Sequence, residues 1–275
     1  MKTIIVATDF SPAAKNAAVY AWDMARVIKA DLYLLHSFQM PVSYSDVAIM
    51  MSVDEMQHIA EADMQQFISS LKELRGEDIP LRHEVRMGAF FQELTDVCNS
   101  IKPYAVVMGS QGTTGAERFF FGSHAVHAMK HLPWPLITVP PGAKFGAIRN
   151  IGLACDFNKV VDTIPVEEIK QLLTDFKAEL HVLNIAKKED FDPEVVFESG
   201  LLQEMLDGVP PHYHFITNEN TDAGILEFAE KNAIDLLLVL PKRHGLLERL
   251  THKSHTREFV LHSHVPVMAL HQENI

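Results

Sequence analysis

A chain of 275 residues has room for two domains of ordinary size, each able to bury a core of its own. Hydrophobic residues make up 47% and charged residues 22%, a balance that excludes intrinsic disorder, and no apolar run reaches the roughly eighteen residues of a membrane helix. A formal charge of −12 with no dense basic run argues against a nucleic-acid partner, and the missing apolar run against a membrane one.

Thr3–Thr8 reads as a buried parallel strand, and Ser11-Pro12 as an N-cap followed by proline at the first helical position, opening a helix to about Ile28. Met1 leads straight into that strand with no cleavable signal pattern, so the cytoplasm is the expected compartment. Leu32–Leu35 is a second strand. Asp54–Leu74 has helical spacing of Met56, Ile59, Ala60, Met64, Phe67, Ile68 and Leu71. Leu81–Arg86 is a third strand, Phe91–Ile101 a helix, Ala105–Met108 a fourth strand, Ser123–His131 a helix and Leu136–Val139 a fifth strand. Strict alternation of strands and helices, with strands apolar on both faces, predicts an α/β fold with an open parallel five-stranded sheet and helices on both faces. Cys98 and Cys155, the only cysteines, are too few for a disulfide framework and are expected to be inert core thiols.

Pro140-Pro141-Gly142 is a breaker cluster that reads as a linker, after which the same order begins again. Ala154-Cys155-Asp156-Phe157 echoes Ala7-Thr8-Asp9-Phe10, and Glu179–Leu183 echoes Asp31–Leu35. From His83 onward the halves align without a gap at an offset of 131 residues, which sets His83 against His214, Ser123-His124 against Ser254-His255 and Pro135 against Pro266. The chain is thus expected to be a duplicated domain, residues 1–141 and 148–275.

The chemistry-bearing stretch is Gly109-Ser110-Gln111-Gly112, nine residues, then Gly122-Ser123 opening a helix, a G-x2-G-x9-G-S spacing. It runs from the carboxyl end of a strand to a helix start, where open parallel sheets bind ligands. Glycines let a phosphate approach the backbone, and the first helical amides with the hydroxyl of Ser123 offer donors to it. Asp9 ends the neighbouring strand. Its carboxylate either stabilises the turn before Ser11 or faces the same crevice as a ligand contact.

With Ala7-Thr8-Asp9-Phe10-Ser11-Pro12, the Gly109, Gly112, Gly122 and Ser123 spacing, and Pro133-Trp134-Pro135 before the last strand, the sequence resembles the universal stress protein family in its tandem form. The resemblance implies the Rossmann-type, adenine nucleotide alpha hydrolase-like fold. It also implies ATP as the ligand, alone or with Mg, held by Ala7, Thr8, Asp9, Ser11, Met108, Gly109, Gln111, Gly112, Gly122, Ser123 and His124. In that family the nucleotide usually serves as a signal in stress survival, so the expectation is a regulator and at most a weak ATPase. The family also usually pairs domains through the last strand, so the resemblance implies that Leu136–Val139 and Val267–Leu270 associate as an internal pseudo-dimer that covers an exposed edge, with a homodimer as a further option.

In the second half Leu240, Arg243 and Lys253 stand where the first half has its three glycines, so no nucleotide is expected there. Lys242, Arg243 and Lys253 leave a separate side-chain anion site open. The histidines of the final stretch, His244, His252, His255, His262, His264 and His271, read as surface residues rather than metal ligands. Phe119-Phe120-Phe121 is expected to pack against the following helix, Met50-Met51 to lie in a loop, and Thr113 and Thr114 to be ordinary loop residues. Two other classes of function stay open: a slow ATP hydrolase or phosphotransferase, and a protein-interaction scaffold that binds another small ligand.

Overall fold

The computed structural model describes residues 1–40, 52–110, 118–186, 193–241 and 255–272, with the side chains of 118–122 outside the described set. Strand β1 (Thr3–Ala7) is buried at every position, as the unbroken apolar run Ile4–Ala7 requires. Helix α1 (Pro12–Ile28) starts where expected: Ser11 Oγ accepts the amide of Ala14 at 3.0 Å, and Pro12 occupies the first turn. Then come β2 (Asp31–Phe38), α2 (Val53–Arg75), β3 (Leu81–Met87), α3 (Phe90–Ile101), β4 (Ala105–Gly109), α4 (Arg118–His131) and β5 (Leu136–Val139). A reciprocal capping box between Ser52 and Glu55 fixes the start of α2. The second half repeats the order as β6 (Asn150–Ala154), α5 (Val160–Thr163), α6 (Val166–Phe176), β7 (Glu179–Ala186), α7 (Pro193–Met205), β8 (His212–Thr217), α8 (Thr221–Lys231), β9 (Leu236–Val239), α9 (His255–His262) and β10 (Val267–Ala269).

Each half forms a five-stranded parallel sheet, and the two fuse into one ten-stranded sheet of order β3-β2-β1-β4-β5-β10-β9-β6-β7-β8. The join is the antiparallel pair β5–β10, which sets the expected last strands edge to edge. No open edge remains at the centre of the molecule. The core lies in two layers, one on each face of the sheet, and each layer runs through both halves. Cys98 and Cys155 are buried in these layers, and burial pushes the Cys98 thiol up to about 12.

The connection between the halves is itself packed. Asn16 Nδ2 donates to the carbonyls of Pro140 (3.3 Å) and Ala143 (3.1 Å). Phe145 stacks edge-on against Tyr20 at 5.1 Å and faces Phe176 of α6 at 6.4 Å. Lys2 forms an ion pair with Asp175 of α6.

Three details depart from the sequence reading. The offset of 131 does not extend back to His83. In the sheets Tyr33 lies opposite Arg82, and its counterpart His181 opposite His212, which makes the offset 130 across β3 and β8 and sets His83 against Tyr213. The extra residue enters at Glu219, between β8 and α8: the amides of Gly88 and Asn218 still bind equivalent carbonyls, those of Phe38 and Ala186, at an offset of 130, whereas the helix N-caps Ala89 and Asn220 and the left-handed Lys102 and Ala233 stand 131 apart. The offset of 131 then holds through Tyr104 and Asp235, whose amides bind the equivalent carbonyls of Thr3 and Asn150. Second, α4 begins at Arg118 rather than Ser123. A lone glycine weakens a helix by only about 1 kcal/mol, so Gly122 does not stop the helix from extending one turn upstream. Third, the second-half counterpart of α1 is broken: Ile164, ahead of Pro165, is extended at φ −97° and ψ 118°, which separates α5 from α6.

Candidate functional site

In the first half β1 pairs with both β2 and β4. The chain leaves β1 toward β2 on one side, and β4 and β5 lie on the other, so the carboxyl ends of β1 and β4 border the point where the winding reverses. Everything that follows β1 and β4 therefore borders one crevice.

The turn after β1 is built by side chains. Thr8 Oγ1 accepts the amide of Phe10 and Asp9 Oδ1 accepts the amide of Ser11, both at 3.0 Å. Phe10 is left-handed at φ 63°, a conformation that costs a residue with a Cβ and persists only when neighbours hold it. His36, at the end of β2, is that neighbour. Its Nδ1 lies 2.8 Å from the Thr8 carbonyl, which can only accept, so Nδ1 carries the hydrogen. Its ring lies 4.3 Å from that of Phe10.

The same turn recurs after β6. Phe157 is left-handed at φ 50°, its amide reaches Cys155 Sγ at 3.4 Å, the amide of Asn158 reaches Asp156 Oδ1 at 3.2 Å, and Asn184 Nδ2 donates to the Cys155 carbonyl at 3.0 Å. Asp9 and Asp156 thus share the turn-stabilising role. One oxygen of Asp9 is engaged in this way.

The halves differ where β4 and β9 end. A Cβ on Gly109 would lie 3.2 Å from the backbone carbon and oxygen of Ala13, so the bare glycine lets the first turn of α1 seat directly on the strand end. Ser110, the next residue, is 2% exposed, and its Oγ has no hydrogen-bond partner among the described residues. In the second half Leu240 and Pro241 fill these two places. Leu240 packs on the core layer that contains Val160 and Ile164, beside the broken helix.

Ala7 and Met108 are buried in the core layer on the α3 and α4 side, so only their backbone can face a ligand. Thr8, Asp9 and Ser11 share the turn after β1, with the Ser11 hydroxyl committed to the cap of α1. Gly122 and Ser123 lie within α4, one turn after its start, so their amides are not the unpaired first amides of a helix. His124 sets its ring edge-on to Phe90 at 5.2 Å, and burial, then His127, holds it below the ordinary histidine range. Gln111 and Gly112 fall outside the described residues, as do Met50-Met51, Thr113, Thr114, Lys242, Arg243, His244, His252, Lys253 and Ser254. His36 and Ser110 escaped the sequence reading. A polar residue closing the apolar run of β2 was the available signal for His36, whereas burial of Ser110 has no local signature. Among the described residues no three His, Cys, Asp or Glu side chains are gathered as a metal site, and no helix is long and apolar enough to cross a membrane.

A doubly wound parallel sheet with a switch-point crevice, present twice and joined edge to edge, defines a duplicated Rossmann-like protein. The chain belongs to the universal stress protein family: the family's sequence profile matches residues 1–140 and again 147–271. Universal stress protein MJ0531 of Methanocaldococcus jannaschii is 24% identical over 139 residues, which is 50% of this chain and 81% of that protein. A universal stress protein from Archaeoglobus fulgidus DSM 4304 superimposes with a TM-score of 0.71 at 17% identity, covering 99% of this chain and 97% of that one. A functionally unknown protein from Pseudomonas aeruginosa PAO1 gives 0.61 at 15% identity, over 98% and 92%.

Proposed function

We propose that residues 1–141 form a domain that binds ATP, alone or with Mg, in the β1/β4 crevice, and that residues 148–275 form a domain that does not. The reading is of a cytoplasmic regulator in which the nucleotide selects a conformation or assembly, a homodimer being one such assembly, rather than of an enzyme that turns ATP over. The observation that carries it is the contrast at one place in two otherwise matched crevices: Gly109 and a Ser110 hydroxyl unpartnered among the described residues in the first half, Leu240 and Pro241 in the second. Bare backbone and free donors suit a polyphosphate, and bulky apolar side chains exclude one. Asp9, with one oxygen outside the turn bond, is suited to a ribose. Gly112, Gly122 and Ser123 complete the reading by resemblance, and because α4 starts at Arg118, contact with the amides of Gly122 and Ser123 requires the first turn of α4 to unwind.

Titration calorimetry of the purified chain with ATP tests this. One site per chain is expected. Two equivalent sites, or no heat with any adenine nucleotide, would refute it.

A further inference from the structure

Across β2 and β3, Tyr33, Arg82 and Glu84 form a surface triad. The Tyr33 hydroxyl donates to Glu84 Oε2, and the Arg82 guanidinium lies 5.8 Å over the Tyr33 ring. Arg86 Nε is 2.9 Å from Glu84 Oε1. Strand register carries these three positions onto His181, His212 and His214 of β7 and β8. The contacts are carried over as well. His181 Nδ1 meets His214 Nε2 at 3.0 Å in place of the Tyr33–Glu84 bond, and His212 stacks on His181 at 5.1 Å in place of Arg82. The cross-strand latch is thus built twice with different chemistry.

The His181 and His214 rings are nearly coplanar, 16° apart with centroids at 5.3 Å, so their nitrogens point at one another and one hydrogen sits between them. Two ring positions remain, and they differ. His181 Nε2 is buried without a partner among the described residues, while Phe228 of α8 covers the His214 ring at 4.7 Å. The latch accepts one proton, on His214, which then donates Nε2–H to His181. A second, on His181, would set hydrogen against hydrogen and two cations 3.0 Å apart. His212 adds a third imidazole. Glu179 Oε2, 3.5 Å from His212 Nε2, is the carboxylate that faces the cluster; α8 presents Phe228, and the β6 residue opposite His181 is Gly152, which has no side chain.

We infer that β8 is an acid-released edge strand: protonation of the His181–His212–His214 cluster unlatches it from β7, while β3 in the first half stays closed. Burial, then His214 and His212, lowers the affinity of His181 for a proton, and burial, then His212, does the same for His214, with Glu179 opposing the effect at His181. A histidine whose folded pKa is lowered stabilises the fold above its unfolded value, about 6.5, and that stability is lost as pH falls below it. In the first half Tyr33 is pushed up to about 12 and Glu84 is held below its ordinary value, so neither titrates in this range. The released edge exposes the pairing groups of β7 to another strand.

Hydrogen exchange of the whole chain between pH 7.5 and 5, corrected for intrinsic rates, compares the two edges within one molecule. Protection of 212–217 is expected to fall about tenfold per pH unit below 6.5 for each proton withheld, while 81–87 stays level. Equal behaviour of both edges would overturn the inference. Transplanting the first-half triad (His181→Tyr, His212→Arg, His214→Glu) is expected to abolish the fall, and a fall that persists in the folded variant counts against it. Should the variant not fold, imidazole NMR of the wild type decides. His181 is expected to titrate only together with loss of β8 protection, and ordinary titration near 6.5 with β8 still protected would overturn the latch.

Discussion

Ile137 of β5 lies directly opposite Met268 of β10, and Met268 is its own counterpart in the second half. The flanking pairs are reciprocal: Thr138 faces Val267 and Leu136 faces Ala269. A pseudo-twofold axis therefore passes through the Ile137–Met268 pair, as in a symmetric dimer whose two subunits have been tied into one chain. Both residues are buried in the same core layer. Ile137→Ala and Met268→Ala are each expected to cost about 2–5 kcal/mol by cavity formation. The double variant should depart from additivity by at least about 0.5 kcal/mol, because the two residues share one contact. Urea denaturation of the four proteins measures this, and strict additivity would separate the pair.

Gly109 is expected to be intolerant of even one added carbon. The atoms that a Cβ would meet are the main chain of Ala13, which cannot rotate aside as a side chain could. Gly109→Ala should cost about 1–3 kcal/mol through displacement of α1. Gly142 and Gly146 have nothing within 4 Å of the added atom, and Gly146, which lacks the positive φ of Gly142, serves as the control. A thermal melt of Gly109→Ala that matches that of Gly146→Ala would show that α1 does not rest on the strand end.

Asp9 holds a turn by one oxygen and, in the proposed function, a nucleotide by the other. Substitution by asparagine separates the two. Asp9→Asn keeps an acceptor for the Ser11 amide, so stability should change by less than about 0.5 kcal/mol, while ATP affinity falls about tenfold or more with loss of the charge. Asp9→Ala removes the acceptor too and should also lower stability by about 0.5–1.5 kcal/mol. Denaturation and calorimetry on the same samples check both. Unchanged affinity in Asp9→Asn would confine the residue to the turn.

The parts of this molecule legible in its sequence are those decided within a few residues. Ile4–Ala7 is apolar without interruption and, with Thr3, becomes a strand buried at every position; Ser11-Pro12 caps α1; the Asp9 turn follows from an acceptor two residues before an amide. What escaped depends on distant partners. The left-handed Phe10 is held by His36 on another strand, and the significance of Gly109 lies in how closely α1 approaches it. The extra residue at Glu219 hid because the flanking segments still look alike when shifted by one, and only strand register exposes it. The start of α4 was misread for an energetic reason, since one glycine is too weak a breaker to end a helix by itself.

The ion pair of Lys2 with Asp175 ties the first strand to α6 across the two halves. The Asp175 side chain is 12% exposed and that of Lys2 31%, so the pair is shielded on one side only. Burial alone would raise the Asp175 carboxyl; the hydrogen bonds from Lys2 and from Gln171 Nε2 at 3.0 Å outweigh it, and the pKa lies below the ordinary aspartate value. A carboxyl with a lowered folded pKa adds stability above its unfolded value, about 3.9, and that stability is lost as pH falls through the folded one. Asp175→Asn should therefore cost about 1–2 kcal/mol at pH 7, the lower part of the range for a charged hydrogen bond because Lys2 remains partly in water. The gap between wild type and variant should then begin to narrow as the pH falls below about 3.9 and go on narrowing toward the folded pKa, where the wild-type residue is itself protonated. Denaturation curves at pH 7, 5, 4 and 3 trace the gap. A constant difference across that series would mean that the charge of Asp175 contributes nothing and that only its shape and hydrogen bonding hold the halves together.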